Sequence, residues 1–157
     1  MRACACVLTF VLLSVFTISA CGEKSPTIVT GTPALNITGG WTYRLDAIDQ
    51  AMMATCQARG TISFAQFDGG DQFGGGLSGL QSCVDGGVST GDQTVIVPVT
   101  AGELAGVVAK FVALGCTHMG TATGSPPNRF AGTVTCSLAV TEGGTPRPFT
   151  GTWEATR

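Results

Sequence analysis

The chain has 157 residues, 44% hydrophobic and only 11% charged, with 23 glycines and a formal net charge of −2. That length fits about one domain, and apolar residues spread along the whole chain exclude a disordered composition. Scarce Lys, Glu and Leu speak against a helical bundle, and the lack of any Lys/Arg cluster excludes a nucleic-acid-binding surface.

The N-terminus carries the strongest pattern. Arg2 is followed by an uncharged stretch from Ala3 to Ile18, with Val7, Leu8, Phe10, Val11, Leu12, Leu13, Val15 and Phe16 at its centre. This apolar core is too short for a span of ~20 residues, and it ends in small residues as a secretory signal does. There stands Ile18-Ser19-Ala20-Cys21: one aliphatic residue, two small ones, then cysteine. The pattern resembles the lipobox of bacterial lipoproteins. The resemblance implies that residues 1–20 are a removable signal and that Cys21 becomes the first residue of the mature chain. It also implies a thioether-linked diacylglycerol on Cys21 and an acyl group on the new amine. Each buried methylene adds ~0.8 kcal/mol of membrane affinity, so two or three long chains anchor the protein permanently. The expected partner is therefore the membrane, and the expected address is the bacterial cell envelope. Gly22, where retained lipoproteins carry Asp, favours the outer membrane, facing the periplasm or the exterior.

Loss of the signal leaves 7 basic and 10 acidic residues, a net charge of −3. It also resolves the odd count of seven cysteines. Cys4 and Cys6 depart and Cys21 takes lipid, leaving Cys56, Cys83, Cys116 and Cys136 for two disulfides in an oxidising compartment. Residues 21–38 read as a lipidated tether with Pro26 and Pro33, reaching at most ~55–60 Å when extended. Asn36-Ile37-Thr38 matches a glycosylation sequon, to which a bacterial signal gives no weight.

From residue 39 to 157 the chain is built of short alternating segments. Trp41, Tyr43 and Leu45 share one face; so do Ile62 and Phe64, then Val134, Cys136 and Leu138, then Phe149, Trp153 and Ala155. Period-two alternation with polar partners marks a sheet with one wet face. Turn clusters separate the segments at Asp68-Gly69-Gly70-Asp71, Asp85-Gly86-Gly87, Gly124 to Asn128 and Glu142-Gly143-Gly144. The expectation is an all-β, eight-stranded, up-and-down antiparallel barrel, with strands near 40–46, 55–67, 72–83, 93–100, 106–114, 115–123, 129–140 and 147–156. One short helix is the competing reading for two stretches. Residues 46–57 have helix-favouring composition, and Thr100 to Glu103 forms a capping box ahead of Leu104, Val107, Val108, Phe111 and Leu114. Gly106, Val107, Val108 and Val112 favour strand for 106–114, which would place Val108, Val112, Leu114 and Cys116 on one face.

Hairpin register predicts the disulfides. A turn near Pro126 that pairs 123 with 129 sets Cys116 opposite Cys136. A turn near Gly70 that pairs 67 with 73 sets Cys56 opposite residue 84, next to Cys83. Opposed strand residues have the Cα spacing a disulfide needs, so Cys56–Cys83 and Cys116–Cys136 are expected.

Gly39-Gly40-Trp41 resembles the Gly-x-Trp opening of lipocalin- and avidin-like barrels, and Gly151-Thr152-Trp153 to Arg157 resembles their closing strand. The middle, from Cys56 through Gly60-Thr61 to Cys83 and from Thr117-His118 to Thr133, is similar to uncharacterised small bacterial β-barrel lipoproteins. The resemblance implies a small apolar ligand held inside the barrel, with Trp41, Tyr43, Phe64, Phe149 and Trp153 as candidate ligand or core residues. The set of aromatic pocket residues of the avidins does not carry over.

Catalytic chemistry finds no foothold. Gly74 to Gly79 satisfies G-x-G-x-x-G, but the helix and acidic residue of a dinucleotide site do not follow, and the glycines read as turn or bulge residues. His118 is the one histidine, with no triad partner placed by spacing. A zinc site from Cys116, His118 and Cys136 competes with the disulfide that export favours. Asp68 and Asp71 lack calcium-loop spacing. The protein is read as a non-enzyme without metal or cofactor. Two functions remain. One is a lipid-anchored barrel binding a small apolar ligand. The other is a structural or protein-interaction module of the envelope, with no ligand and an unidentified protein partner. Large side chains meeting across the axis would favour the second; inward Gly151, Ala155 and Ala131 around the tryptophans would favour the first.

Overall fold

A computed structural model describes residues 35–157 except 69 and 142; the expected signal, Cys21 and most of the tether lie outside the described residues. The described residues form nine strands: β1 Gly39–Asp49, β2 Ala54–Gln66, β3 Gln72–Asp85, β4 Val88–Ser89, β5 Gln93–Ala105, β6 Val108–Ala113, β7 Cys116–Thr123, β8 Arg129–Leu138 and β9 Arg147–Thr156. All pairings are antiparallel, in the order β2-β1-β9-β8-β7-β6-β5-β3, and pairing of β2 with β3 closes the ring. The two-residue β4 only extends the hairpin that leaves β3. The chain is thus an eight-stranded up-and-down barrel.

Alternation drives the closure. In β1, Trp41, Tyr43, Leu45, Ala47 and Asp49 point inward, and Thr42 and Arg44 point to solvent. In β7 the inward set is Cys116, His118, Gly120 and Ala122. The same period holds in β9 through Phe149, Trp153 and Ala155. A row of buried side chains every second residue lets one sheet curl on itself and bury a single core.

Neither competing helix forms among the described residues. Residues 46–49 continue β1, because Ala47 and Asp49 keep the inward alternation. The chain then turns at 50–53, where Met53 takes a left-handed φ of 55°. Asp49 accepts main-chain hydrogen bonds from Ala51 and Met52 at its Oδ1 and so stabilises the turn. The second stretch stays extended as the upper part of β5 and β6. Ala101, inside the apparent capping box, has φ 49°, and the β5–β6 register shifts between Thr100 and Glu103. The box is a β-bulge instead, and bulges bend a strand. In β6 it is Ala109, Phe111 and Ala113 that face inward, whereas Val108 is exposed and Val112 half-buried. The expected common face of Val108, Val112, Leu114 and Cys116 is broken by the turn at Leu114 and Gly115, both with positive φ.

The disulfides join the expected partners. Cys116 lies opposite Cys136 in the β7–β8 register that pairs Thr123 with Arg129, and their Cα atoms are 3.9 Å apart. The Gly70 hairpin pairs Gln66, not residue 67, with Phe73. Phe67 instead opens the turn, donating from its amide to Gln72 and accepting from Gly70. That shift of one residue sets Cys56 directly opposite Cys83, with a Cα separation of 4.1 Å.

Inward glycines make room for rings. Gly120 of β7 faces Gly132 of β8, beside the Trp153 ring. A Cβ on Gly120 would stand 2.6 Å from the Trp153 ring and 2.9 Å from the Ala131 carbonyl. Gly120→Ala is therefore expected to destabilise the fold by ~1–3 kcal/mol, the usual cost of overpacking. Urea unfolding of the variant against the parent, with the denaturant slope unchanged, measures it.

Candidate functional site

The five candidate aromatic residues all point into the barrel. Trp41, Tyr43, Phe64, Phe149 and Trp153 are each no more than 3% exposed. Four of them meet residues from other strands. Trp41 lies 5.2 Å from Phe130 and 6.2 Å from Phe64, centroid to centroid. Phe64 packs edge-on against Phe73 at 5.2 Å and Phe111 at 5.5 Å. Phe111 in turn meets Trp153 at 5.1 Å. These contacts link β1, β2, β3, β6, β8 and β9, so the rings join across the axis. Each T-shaped pair adds ~0.5–1.5 kcal/mol beyond area burial. Phe149 stands apart from this cluster, opposite Cys136 and 6.0 Å from the Arg147 guanidinium.

Ala155 and Gly151 lie on the inner face, but Ala131 does not: it pairs with Glu154 on the outer wall. Ala131 therefore adds no interior space.

Deep in the cluster is a polar pair. The Tyr43 hydroxyl lies 2.7 Å from His118 Nε2, and His118 Nδ1 lies 3.2 Å from the Cys116 carbonyl. A carbonyl can only accept, so Nδ1 carries the proton and Nε2 accepts from the Tyr43 O–H. The imidazole also stacks on Phe111 at 4.4 Å. Burial pushes the His118 pKa down to about 4, against partial opposition from the main-chain bond at Cys116. Burial likewise raises Tyr43 well above the usual phenol range. Both groups stay neutral at pH 7 and satisfy each other. Cys116 and Cys136, weighed above as zinc ligands beside His118, are joined to each other.

The two ends of the barrel are closed differently. At the end where β1 begins, Ile37 is wholly buried although the sequence placed it in the tether. Gln66 accepts from the Ile37 amide and donates to the Leu35 and Gly70 carbonyls. Trp41 Nε1 donates to the Ile37 carbonyl. Arg157 stacks over Trp41 at 4.2 Å and donates to the carbonyls of Asn36, Thr38 and Pro127. At the opposite end lie both disulfides and an ion cluster. Arg147 reaches Asp85 at 2.8 Å and the buried Asp49 at 3.5 Å. The sequence pattern did not mark the roles of Asp49, Arg147, Gln66 and Arg157 at the two ends. Asp49 and Arg147 are 98 positions apart in numbering, and nothing local marks their meeting.

Outside, a shallow groove of about 510 Å³ runs between β1, β9 and β8. Arg44 pairs with Asp46 and Arg129 with Glu154, each at 2.8 Å. Hydrogen bonding from Arg129 holds the Glu154 carboxyl below its ordinary range. These charges neutralise one another within the groove. A much smaller gap, about 10 Å³, lies inside between Leu45, Cys56, Cys116 and Leu138. That is about the space of one water.

No family model, curated protein or solved structure matches this chain.

Two outcomes are expected. The unfolded chain protonates His118 near pH 6.5 and the folded chain only near pH 4. The His118 contribution is thus complete above pH 6.5 and falls by about 3 kcal/mol as the pH drops to 4. Unfolding free energies across that range, compared with His118→Gln, should show that slope only in the parent. Separately, Arg147→Leu leaves the Asp49 carboxylate buried without its cation. A loss of ~3 kcal/mol is expected in the same assay.

Proposed function

We propose that the chain is a lipid-anchored protein of the bacterial cell envelope whose filled barrel acts through its outer surface, as a structural or protein-interaction module. The address rests on Ile18-Ser19-Ala20-Cys21 after an apolar core and one basic residue. Cys21 bears the lipid, the membrane is the first partner, and Gly22 favours the outer membrane.

One observation carries the choice between the two functional readings. Side chains from opposite walls meet on the axis: Phe111 with Trp153 at 5.1 Å, Phe64 with Phe130 at 6.2 Å, Tyr43 with His118 through a hydrogen bond. Small-molecule sites of ordinary size need a chamber of ~300–1,000 Å³, and a ligand entering here would have to displace rings that already contact one another. The likeness to lipocalin- and avidin-like barrels then lies in architecture, with their ligand space taken up by side chains.

Labelling cells with a palmitate analogue tests the anchor. The wild-type chain should take the label and move to the membrane fraction, and Cys21→Ser should do neither. Native mass spectrometry of the purified chain tests the interior. A bare protein mass in repeated preparations is expected. A co-purifying small molecule at unit stoichiometry would overturn the filled-barrel reading and restore the ligand-binding one.

A further inference from the structure

The ring of strands is not paired along its full height. β3 hydrogen-bonds to β5 from Gln93 upward, but β6 joins β5 only between Thr100 and Ala105. Over residues 93–98 the other side of β5 has no strand partner among the described residues, and no turn or loop hydrogen bond reaches it. β6 resumes pairing beyond the bulge at Thr100 opposite Val112, then ends at Ala113 and turns at Leu114 and Gly115 into β7, so it never reaches residues 93–98. Pro98 fits the same reading, since proline within a sheet is confined to edges and bulges.

Edge strands of folded proteins are usually guarded by charge. This one carries none from Gln93 to Gly102. Ile96 is 81% exposed on it, and Leu80, Val84 and Val88 of the same hairpin are 40% to 73% exposed. Leu80 lies opposite Thr94, diagonal to Ile96, so the two form one outward apolar row.

We infer that this β5 edge is a homotypic docking site, at which two copies of the chain pair their residues 94–98 antiparallel about a two-fold axis through Ile96. This deepens the proposal that the outer surface is the working face, and rests on it. The sequence of the edge is nearly symmetric about that point. Ile96 faces Ile96 of the partner subunit, Val95 faces Val97 of the partner subunit, and Thr94 faces Pro98 of the partner subunit. β-Branched residues opposed in this way are favourable cross-strand pairs. Charge also permits it. Asp92, the nearest carboxylate before the edge, falls opposite Thr100 of the partner subunit, so no like charges meet. About four main-chain hydrogen bonds join the strands, because those of Pro98 are lost. A five-residue paired run is ~17 Å long, which places the contact at the small end of specific interfaces. Such a pair is weak in dilute solution. Copies held on one membrane surface by lipid raise their effective concentration, as a linker does for two modules.

The test uses the full mature chain, both in detergent solution and in phospholipid vesicles. Opposed Cα atoms in an antiparallel pair suit a disulfide, so Ile96→Cys should oxidise to a covalent dimer. Thr133→Cys, on the exposed face of β8, should stay monomeric. In the mature chain Cys21 carries the lipid, and the other four native cysteines are at most 4% exposed and already joined, so the new thiol has no accessible partner within its own chain. Sedimentation of the chain without added cysteines should show a mass that doubles with concentration. Ile96→Lys should remain monomeric with an unchanged circular dichroism spectrum and melting curve. Equal cross-linking of the two cysteine variants, or a single-chain mass at every concentration, would overturn the inference. Lipid labelling and native mass are separate readouts, so either result leaves the anchor and the filled interior to stand or fall by themselves.

Discussion

An eight-stranded barrel has an interior that side chains can just fill or that can hold one small ligand, and the contents of that space govern the rest of this molecule. Trp41, Phe64, Phe73, Phe111, Phe130 and Trp153 form one continuous ring cluster across the axis. They fit because residues beside them are small: Gly120 and Gly132 next to Trp153, Ala109 and Ala113 flanking Phe111. The large and small residues complement each other on facing strands, as native packing density demands. A cavity for a ligand would require giving up this fit.

Polar groups in such a core must be paired. Tyr43 and His118 answer that demand with a single mutual bond, and the Cys116 carbonyl fixes the tautomer. The arrangement has the acceptor, donor and base of an acid–base site, yet it holds them neutral and closed among aromatic rings. A lone histidine in the strand pattern is thereby accounted for as part of the core.

The two ends show how a short barrel finishes. At one, the chain itself serves as the stopper: Ile37 is buried while Gln66 and Arg157 hold its main chain from both sides. The other is held by covalent and ionic links, two cross-strand disulfides and the Asp49–Arg147–Asp85 cluster. Each disulfide is worth ~3 kcal/mol on the chain-entropy model. For a domain whose net stability is commonly ~5–15 kcal/mol, that is a large share.

Local patterning was enough to read the barrel. Period-two alternation marked β1, β2, β8 and β9, and glycine-rich turns divided the rest of the chain into strands, because both signals act within a few residues. Register counting then placed Cys116 against Cys136, and came within one residue for Cys56, where the exit of Phe67 into its turn shifted the count. The apparent capping box at Thr100 misled for the opposite reason. It is a local helix signal that the neighbouring strands overrode by taking Gly102 and Glu103 into the sheet. Whether the interior was full or hollow depended on how far rings from β2, β6 and β9 reach towards one another, which no spacing within a strand expresses. The burial of Ile37, the meeting of Asp49 with Arg147 and the unpaired run of β5 likewise arise from residues brought together by closure. The sequence alone determined the all-β class, the inward rows of β1, β2 and β9 and the cysteine partners, since these depend on neighbours along the chain and across one hairpin. Only the tertiary structure decided what fills the barrel, what seals its ends and where its edge stays open, since these depend on neighbours across it.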